Sequence, residues 1–134
     1  MNECLFCKIV NKEIPNYTVY ENDHILAFLD IFPCTKGHVV VIPKVHAETL
    51  FDLSSSQKAT LFDGVQEVMK KVERVLSPEG FNVGLNHLEA GGQTVPHLHI
   101  HILPRWKGDG GGSMHSVVKN VFGVKVEDVA KLFL

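Results

Sequence analysis

The longest regular pattern of apolar positions in the chain lies between Ser55 and Leu76. Apolar residues recur there every three or four positions, which is the spacing of one face of an α-helix. Ser54 and Gln57 fit the two ends of a capping box, and Ser77-Pro78-Glu79-Gly80 contains residues that end helices. The apolar positions are Leu61, Phe62, Val65, Val68, Met69, Val72, Val75 and Leu76. The pattern predicts one long helix over 55–76 whose apolar face lies in the core.

Shorter apolar runs on both sides of this helix have the alternation or β-branched composition of strands. The predicted strands are Thr18–Tyr20, His24–Asp30, His38–Ile42, Phe81–Asn86 and Pro96–Pro104, with the first two forming a hairpin. In the fourth strand, Phe81, Val83 and Leu85 are expected to face the core. Short helices are expected near 6–11 and 126–133. Strands grouped around one long helix predict an α+β fold on an antiparallel sheet of about five strands.

Length and composition narrow the class of protein. A chain of 134 residues is the size of one domain. Its formal charge of −2 argues against binding nucleic acid through bulk charge. The longest apolar stretch, Val39–Pro43, is far shorter than the ~20 residues of a membrane helix, and the first residues do not resemble a signal peptide. We therefore expect a cytoplasmic protein that binds neither membrane nor nucleic acid.

A glycine-rich stretch over 107–113 divides the chain. The body comprises residues 1–106, and residues 107–134 form a loop and a tail. The predicted tail helix carries Val126, Val129, Ala130 and Phe133 on one face. An apolar face of this kind has to pack against this chain or against a second one.

Histidine is abundant, with eight residues, and three of them alternate within one predicted strand. His97, His99 and His101 fall on one face of that strand, roughly 6.6 Å apart at ~3.3 Å per residue. Leu98, Ile100 and Ile102 fall on the other face and anchor it in the core. A row of imidazoles on a rigid base serves either metal binding or phosphoryl and nucleotidyl transfer.

The loop before this strand favours phosphate chemistry over a metal cage. Gly91 and Gly92 allow the backbone to approach a ligand, and successive N–H groups can form an anion-binding nest. Gln93 and Thr94 add side-chain donors. A tight turn is the structural alternative for this glycine pair.

The chain resembles the histidine triad (HIT) family. The family signature alternates histidine with apolar residues and ends in two apolar residues, and His97–Leu103 fits it at every position. The resemblance extends over Phe6–Pro15, Leu26–Ile31, Gly37–Lys44 and Asn86 with Gly91–Val95, which is most of residues 4–105. It implies a hydrolase or transferase that acts at the α-phosphorus of a purine nucleotide, and a homodimer joined through sheet edges.

The resemblance also implies roles for individual residues. His99 would be the nucleophile and would form a nucleotidyl-histidine intermediate, with His101 on the phosphate oxygens and His38 relaying protons. Asp30 would hold the ribose hydroxyls. Phosphate would be bound by Asn86, Gly92, Gln93 and Thr94. The base would be surrounded by Leu5, Phe6, Ile9, Phe28, Leu29 and Ile31, all of which also suit an ordinary core.

Cys4 and Cys7 form a lone C-x-x-C pair, which on its own is a weak signal for zinc. His46 and His97 could complete a four-ligand set. The resemblance supports this interpretation, because some family members carry zinc on such a set. A closed Cys₂His₂ site would be structural, so that no cofactor is required for the chemistry itself. The alternative is a pair of buried thiols on a helix.

Several functions remain open at this point. One is hydrolysis of nucleoside phosphoramidates or acylated nucleoside monophosphates, which we favour because the compact members of the family match end to end. Another is hydrolysis of dinucleoside polyphosphates, which the sequences of residues 89–94 and 103–105 favour by resemblance to that branch of the family. The remaining ones are a zinc-stabilised nucleotide-binding regulatory module and, more weakly, a metallohydrolase.

Overall fold

Five strands and one long helix account for most of the secondary structure in a computed structural model of the chain. The structure describes residues 3–119 and 123–134. The strands are β1 (Thr18–Glu21), β2 (Ile25–Leu29), β3 (Val39–Pro43), β4 (Gly80–Gly84) and β5 (Ile100–Arg105). The α-helices are α1 (Leu5–Val10), α2 (Ser55–Leu76) and α3 (Val126–Ala130).

The strands form one antiparallel sheet in the order β1-β2-β3-β5-β4. His101 on β5 is paired with Val40 on β3 and with Gly84 on β4. The pairing of β3 with β5 brings two chain segments about sixty positions apart into register. The predicted α+β class with a five-stranded antiparallel sheet and one long helix is confirmed.

Helix α2 covers one side of the sheet. It begins and ends at the predicted residues, and its capping box between Ser54 and Gln57 is present. Gly64 lets the helix approach β2, because a Cβ at this position would lie 2.8 Å from Ile25 Cγ1. Four predicted positions of the helix, Leu61, Val65, Val68 and Val72, are buried against the sheet, whereas Phe62 and Val75 are exposed. The strand residues on this side are Ile25, Ala27, Val39, Val41, Ile100 and Ile102. This is the main core.

The other side of the sheet carries a second apolar cluster. Alternation of side chains places Leu26, Phe28, Val40 and Ile42 there, and α1 covers them with its buried residues Phe6 and Ile9. The short helix α1 therefore lies on the same side of the sheet as His101 of β5 and as His97 and His99, which precede that strand.

Two strand predictions need correction. Strand β5 begins at Ile100 rather than at Pro96, because the preceding backbone leaves the ladder, and Leu98 N–H donates instead to Ala47 O at 2.7 Å. Val83 was expected to face the core, yet it is 36% exposed. It lies on β4, an edge strand, where one flank has no neighbouring strand within the described chain.

The tail ends in α3 and a short 3-10 turn over Lys131–Phe133, close to the predicted helix over 126–133. Val126, Leu132 and Phe133 are exposed at 77, 81 and 85%. Positions 120–122 of the predicted tail lie outside the described residues. The packing of the apolar face of the tail against this chain or a second one stays a prediction. In the part of the chain described, no helix has the length and apolar character to cross a membrane.

Candidate active site and metal centre

The three histidines lie on the α1 side of the sheet, as their alternation predicts. Leu98, Ile100 and Ile102 point into the main core, and His97 and His99 are 0 and 7% exposed on the opposite side. The ring centroids of His99 and His101 are 5.0 Å apart. Side-chain alternation on extended backbone thus brings two imidazoles together above a buried apolar base.

The orientation of the His99 ring leaves one nitrogen available for chemistry. His99 Nδ1 lies 2.8 Å from the carbonyl oxygen of His97, so that Nδ1 carries the proton and donates. The other nitrogen, Nε2, then holds a free lone pair. Phe6 packs edge-on against the ring at a centroid distance of 5.1 Å and limits its rotation. The site therefore presents an oriented nucleophile.

His38 and His101 form a directly hydrogen-bonded pair, with 2.9 Å between His38 Nε2 and His101 Nδ1. The backbone N–H of Cys34 donates to His38 Nδ1 at 3.2 Å, so that the proton of His38 sits on Nε2. His38 therefore donates to His101 Nδ1, and the proton of His101 lies on Nε2. Asp30 Oδ2 is 3.4 Å from His38 Nε2 and supports the same arrangement.

Electrostatics keep this pair neutral near pH 7. Burial lowers the pKa of His101 to about 4, and nearby His99 and His38 act in the same direction. Burial also lowers the pKa of His38, against the opposing effect of the Asp30 carboxylate. Neutral rings are what the hydrogen-bond directions require, since each ring has one donating and one accepting nitrogen. Asp30, His38 and His101 also lie close enough together to hold a metal ion.

The predicted base-binding residues fall into three groups. Phe6, Ile9 and Phe28 are buried together next to the histidines. Leu5 and Ile31 are 45 and 72% exposed, so that a flat ring could cover them. Leu29 is not brought to this place. Alternation along β2 puts it on the α2 side, where it lines a cavity together with Val72.

The loop over 86–95 is a closed turn rather than the open nest of N–H groups that its glycines predicted. The N–H groups of Gly91 and Gln93 donate to Leu88 O, and that of Gly92 donates to Glu89 O. The Gln93 amide is also occupied, because its Nε2 donates to Glu48 O at 2.8 Å and Val95 O at 3.0 Å.

This turn leaves other members of the predicted phosphate set available. Gly92 has a φ of 99°, a conformation that favours glycine, and it lies beside the Asn86 side chain. Thr94 is exposed, and no hydrogen bond within residues 3–119 or 123–134 uses its hydroxyl or its N–H. Thr94 thus offers a free donor in this loop, and a phosphate contact for it stays a prediction.

Cys4, Cys7, His46 and His97 meet at the end of α1 that faces the sheet. Their ligand atoms all lie within 4.8 Å of one another. Sγ of Cys4 is 3.3 Å from His97 Nδ1, and Sγ of Cys7 is 3.3 Å from His46 Nδ1 and 3.5 Å from His97 Nδ1. Tetrahedral zinc with Zn–S of about 2.3 Å and Zn–N of about 2.0 Å separates sulfur from nitrogen by about 3.5 Å. The three sulfur–nitrogen distances match that spacing.

The surroundings of these four residues also suit a metal ion. His97 Nε2–H donates to Pro43 O at 2.9 Å, which leaves Nδ1 as a lone-pair ligand facing the thiols. The N–H of Cys7 donates to Cys4 Sγ at 3.3 Å, a contact that stabilises a thiolate. Burial, with Cys4 nearby, raises the pKa of Cys7 to about 11. A bound cation would reverse that direction by favouring the thiolate.

The geometry above agrees with comparison to known proteins. The family model for the HIT domain matches residues 11–108. The chain belongs to the HIT family. Its relatives include a HIT-like protein of Methanocaldococcus jannaschii, 42% identical over 88% of this chain and 91% of that one. An adenosine 5′-monophosphoramidase of Schizosaccharomyces pombe is 42% identical over 76% of this chain and 74% of its own. An adenylylsulfatase of Arabidopsis thaliana is 37% identical, over 81% of this chain and 55% of its own.

Solved structures of HIT proteins superpose well on this HIT domain. A HIT family protein from Bacillus anthracis has a TM-score of 0.83 at 36% identity and covers 98% of this chain and 93% of that one. A zinc-bound histidine triad protein from Mycobacterium smegmatis has a TM-score of 0.77 at 36% identity, covering 81% of this chain and 79% of that one. The resemblance read from the sequence is therefore confirmed at the level of family and fold.

Two backbone groups complete the HIT site and were not predicted from the sequence. The carbonyl of Pro43 orients His97, and the N–H of Cys34 orients His38. Nearly every residue has a backbone N–H and carbonyl group, so that only the fold distinguishes the Pro43 carbonyl and the Cys34 N–H from the others. The Arg105–Asp109 ion pair was not predicted from the sequence either.

Acid is expected to destabilise the HIT domain through His101. Its pKa is about 4 in the folded chain against an ordinary 6.5, so that the unfolded state binds the extra proton. The contribution of the neutral His101 ring to the free energy of unfolding is complete above pH 6.5 and is lost as the pH falls towards 4. Urea unfolding from about pH 7 to about pH 4.5 should give a flatter pH dependence for His101→Gln than for wild type.

Exposed His115 in the tail provides the control for this experiment. His115→Gln should follow the wild-type curve at every pH. Equal slopes for His101→Gln and wild type would mean that His101 is not held neutral by the fold.

Proposed function

We propose that this protein hydrolyses nucleotides at the α-phosphorus, with nucleoside phosphoramidates or acylated nucleoside monophosphates as substrates. One observation carries the proposal, namely the hydrogen bond from His99 Nδ1–H to the His97 carbonyl at 2.8 Å. It directs the lone pair of Nε2 towards the site from a ring that burial keeps in place. A protein that only bound nucleotides would have no use for an oriented nucleophile.

The proposed reaction has two displacements at phosphorus. In the first, the lone pair of His99 Nε2 bonds to the α-phosphorus, and the leaving nitrogen or oxygen departs with its bonding electrons. The nearest donor for the proton that the leaving atom needs is His101 Nε2–H, on the ring 5.0 Å from His99. In the second, water attacks the nucleotidyl-histidine, its oxygen bonds to phosphorus, and the electrons of the P–N bond return to Nε2. A proton from this water restores His101.

The rest of the nucleotide would lie on the α1 side of the sheet. Asp30 is placed beside the His38–His101 pair, where its carboxylate could accept hydrogen bonds from ribose hydroxyls. Phe28 and Phe6 form an apolar wall against which a purine would pack, with Ile31 at its exposed rim. Asn86 and Thr94 would contact the phosphate. Leu29 is left out of this pocket because it lies on the opposite side of the sheet.

We infer that Cys4, Cys7, His46 and His97 hold a structural zinc ion. The spacing of the four ligand atoms and the second hydrogen bond of His97 support this, as does the zinc-bound relative from Mycobacterium smegmatis. Zinc would tie α1 to the sheet, and four protein ligands would leave it no open position for substrate. The proposed chemistry therefore proceeds on histidines alone.

The proposal includes a homodimer joined through a sheet edge. Strand β4 lies at the edge of the sheet, and its residue Val83 is 36% exposed. A second copy paired along β4 would cover this side chain.

Kinetics on a set of substrates tests the proposed class. Wild-type protein should hydrolyse AMP amidates with a kcat/KM at least about tenfold higher than that for diadenosine polyphosphates, and it should not cleave ADP. Two relatives support this order, since their names are adenosine 5′-monophosphoramidase and adenylylsulfatase. Faster turnover of the dinucleotides would shift the assignment to a dinucleoside polyphosphate hydrolase.

A further inference from the structure

Arg105, at the end of β5, clamps the glycine-rich loop that follows it. Its Nε and Nη2 donate to the two carboxylate oxygens of Asp109 at 2.7 and 2.8 Å, a bidentate arrangement. Its Nη1 donates to Asn82 Oδ1 on β4 and to Gly112 O at 2.6 Å. The same guanidinium thus contacts the sheet edge and both ends of the loop.

Asp109 links several positions of the same loop through its carboxylate. Its carboxylate also accepts from Trp106 N–H at 3.0 Å and from Gly111 N–H at 2.9 Å. Gly111 leaves room for the guanidinium, because a Cβ there would lie 2.4 Å from Arg105 Nη2. A stretch rich in glycine is thereby held in one conformation, which composition alone would not indicate.

A cavity of about 320 Å³ lies between this clamped segment and the sheet. Its floor is Asn82 and Leu103, and Leu103 shares a face of β5 with His101, two residues away. One wall is the loop that bears Cys34, whose N–H orients His38. The opposite wall is the beginning of the tail, at Met114 and Val117. The cavity therefore adjoins the His38–His101 pair.

The position of this cavity along β5 matches where a leaving group would go. Phosphorus displacements of this type place the attacking and leaving atoms roughly in line. Attack comes from His99, and the cavity lies beyond His101 on the same side of the sheet. The nucleoside wall of Phe6 and Phe28 is on the α1 side of β2 and β3, away from β4.

We propose that Arg105 and Asp109 are positioning residues that hold residues 111–117 as the wall of a leaving-group pocket. This proposal rests on the proposed nucleotide hydrolysis. Neither side chain acts on the reacting atoms, because each is occupied by the other. Their effect is on which leaving groups fit.

The lining also selects the class of leaving group. Arg105 is the cation among the lining residues, and its charge is balanced by Asp109. The other walls combine apolar side chains with hydroxyl and amide groups. Such a pocket favours an uncharged group with a carbon skeleton, such as a substituted amine, over a polyphosphate chain that would need several free cations.

A comparison of two amidates of AMP tests this proposal, one with an unsubstituted amino group and one with an N-benzyl group. In Asp109→Ala, kcat/KM for the N-benzyl amidate should fall about tenfold relative to the unsubstituted amidate. Gly111→Ala displaces the guanidinium without removing a charge and should shift the ratio in the same direction. Affinity for AMP should stay at the wild-type value in both variants. Glu67→Ala, which breaks an exposed ion pair with Lys70, is the matched control.

A loss that is equal for both amidates, or no change in either, would overturn the proposal. Calorimetric affinities for AMP and for the N-benzyl amidate, measured on the same variants, separate it from the proposed function. Wild-type protein that turns over neither amidate would contradict the hydrolase assignment. In that case the pocket proposal still predicts that wild-type protein binds the N-benzyl amidate more tightly than AMP, and that Asp109→Ala removes this difference in affinity.

Discussion

His99→Ala is expected to reduce turnover of AMP amidates by roughly 10⁴- to 10⁶-fold while leaving nucleotide affinity within about threefold of wild type. The imidazole would be the only group that bonds to phosphorus, and its loss leaves no other oriented lone pair at that point. Steady-state kinetics with isothermal titration of AMP measures the two effects separately. Alkali-quenched wild-type protein should also carry the mass of a bound nucleotidyl group, which His99→Ala should lack.

The control for this experiment is His24→Ala, because His24 is exposed and lies away from the site at the start of β2. It should keep wild-type activity. Substantial amidate turnover by His99→Ala would show that the nucleophile is wrongly assigned. AMP binding by wild-type protein without turnover of any nucleotide would favour the regulatory binding module instead.

Cys4→Ser is expected to lose bound zinc and to lower stability by about 3 kcal/mol or more, which corresponds to roughly 10 °C in Tm. Wild-type protein should contain about one zinc ion per chain. The four ligands come from the N-terminal end of α1, from the loop after β3 and from the segment before β5, so that the ion would cross-link three segments that are distant along the chain. Metal analysis by mass spectrometry and thermal unfolding give the two readouts.

Cys34→Ser is the matched control, because Cys34 is an exposed thiol that belongs to no ligand set in the described chain. It should retain zinc and the wild-type Tm. Native protein that is free of metal and as stable as Cys4→Ser would contradict the zinc proposal.

The proposed metal centre and the proposed active site meet at a single residue, His97. Its side chain faces the two thiols, and its carbonyl accepts the hydrogen bond that orients His99. Zinc loss is therefore expected to affect catalysis through the position of His99, even though zinc takes no part in the proposed reaction.

Local patterns predicted the elements of this fold well. Helix α2 begins and ends where its periodicity and caps place it, because a capping box and an amphipathic repeat are properties of adjacent residues. Alternation likewise placed the histidines of 97–101 on one side and Leu98 and Ile100 on the other. The start of β5 was mispredicted because a strand exists only where a neighbour completes its ladder, and residues 97–99 have none.

Tertiary structure alone sets the protonation pattern of the site. The row of histidines and the Cys-x-x-Cys pair are visible in the sequence, and they indicate phosphorus chemistry and zinc binding. Which ring nitrogen is free depends on the carbonyls of Pro43 and His97 and on the N–H of Cys34. Backbone groups are the same in every residue, so that only the fold selects the ones that touch a histidine. The same holds for Leu29 and Arg105, whose surroundings come from segments distant along the chain.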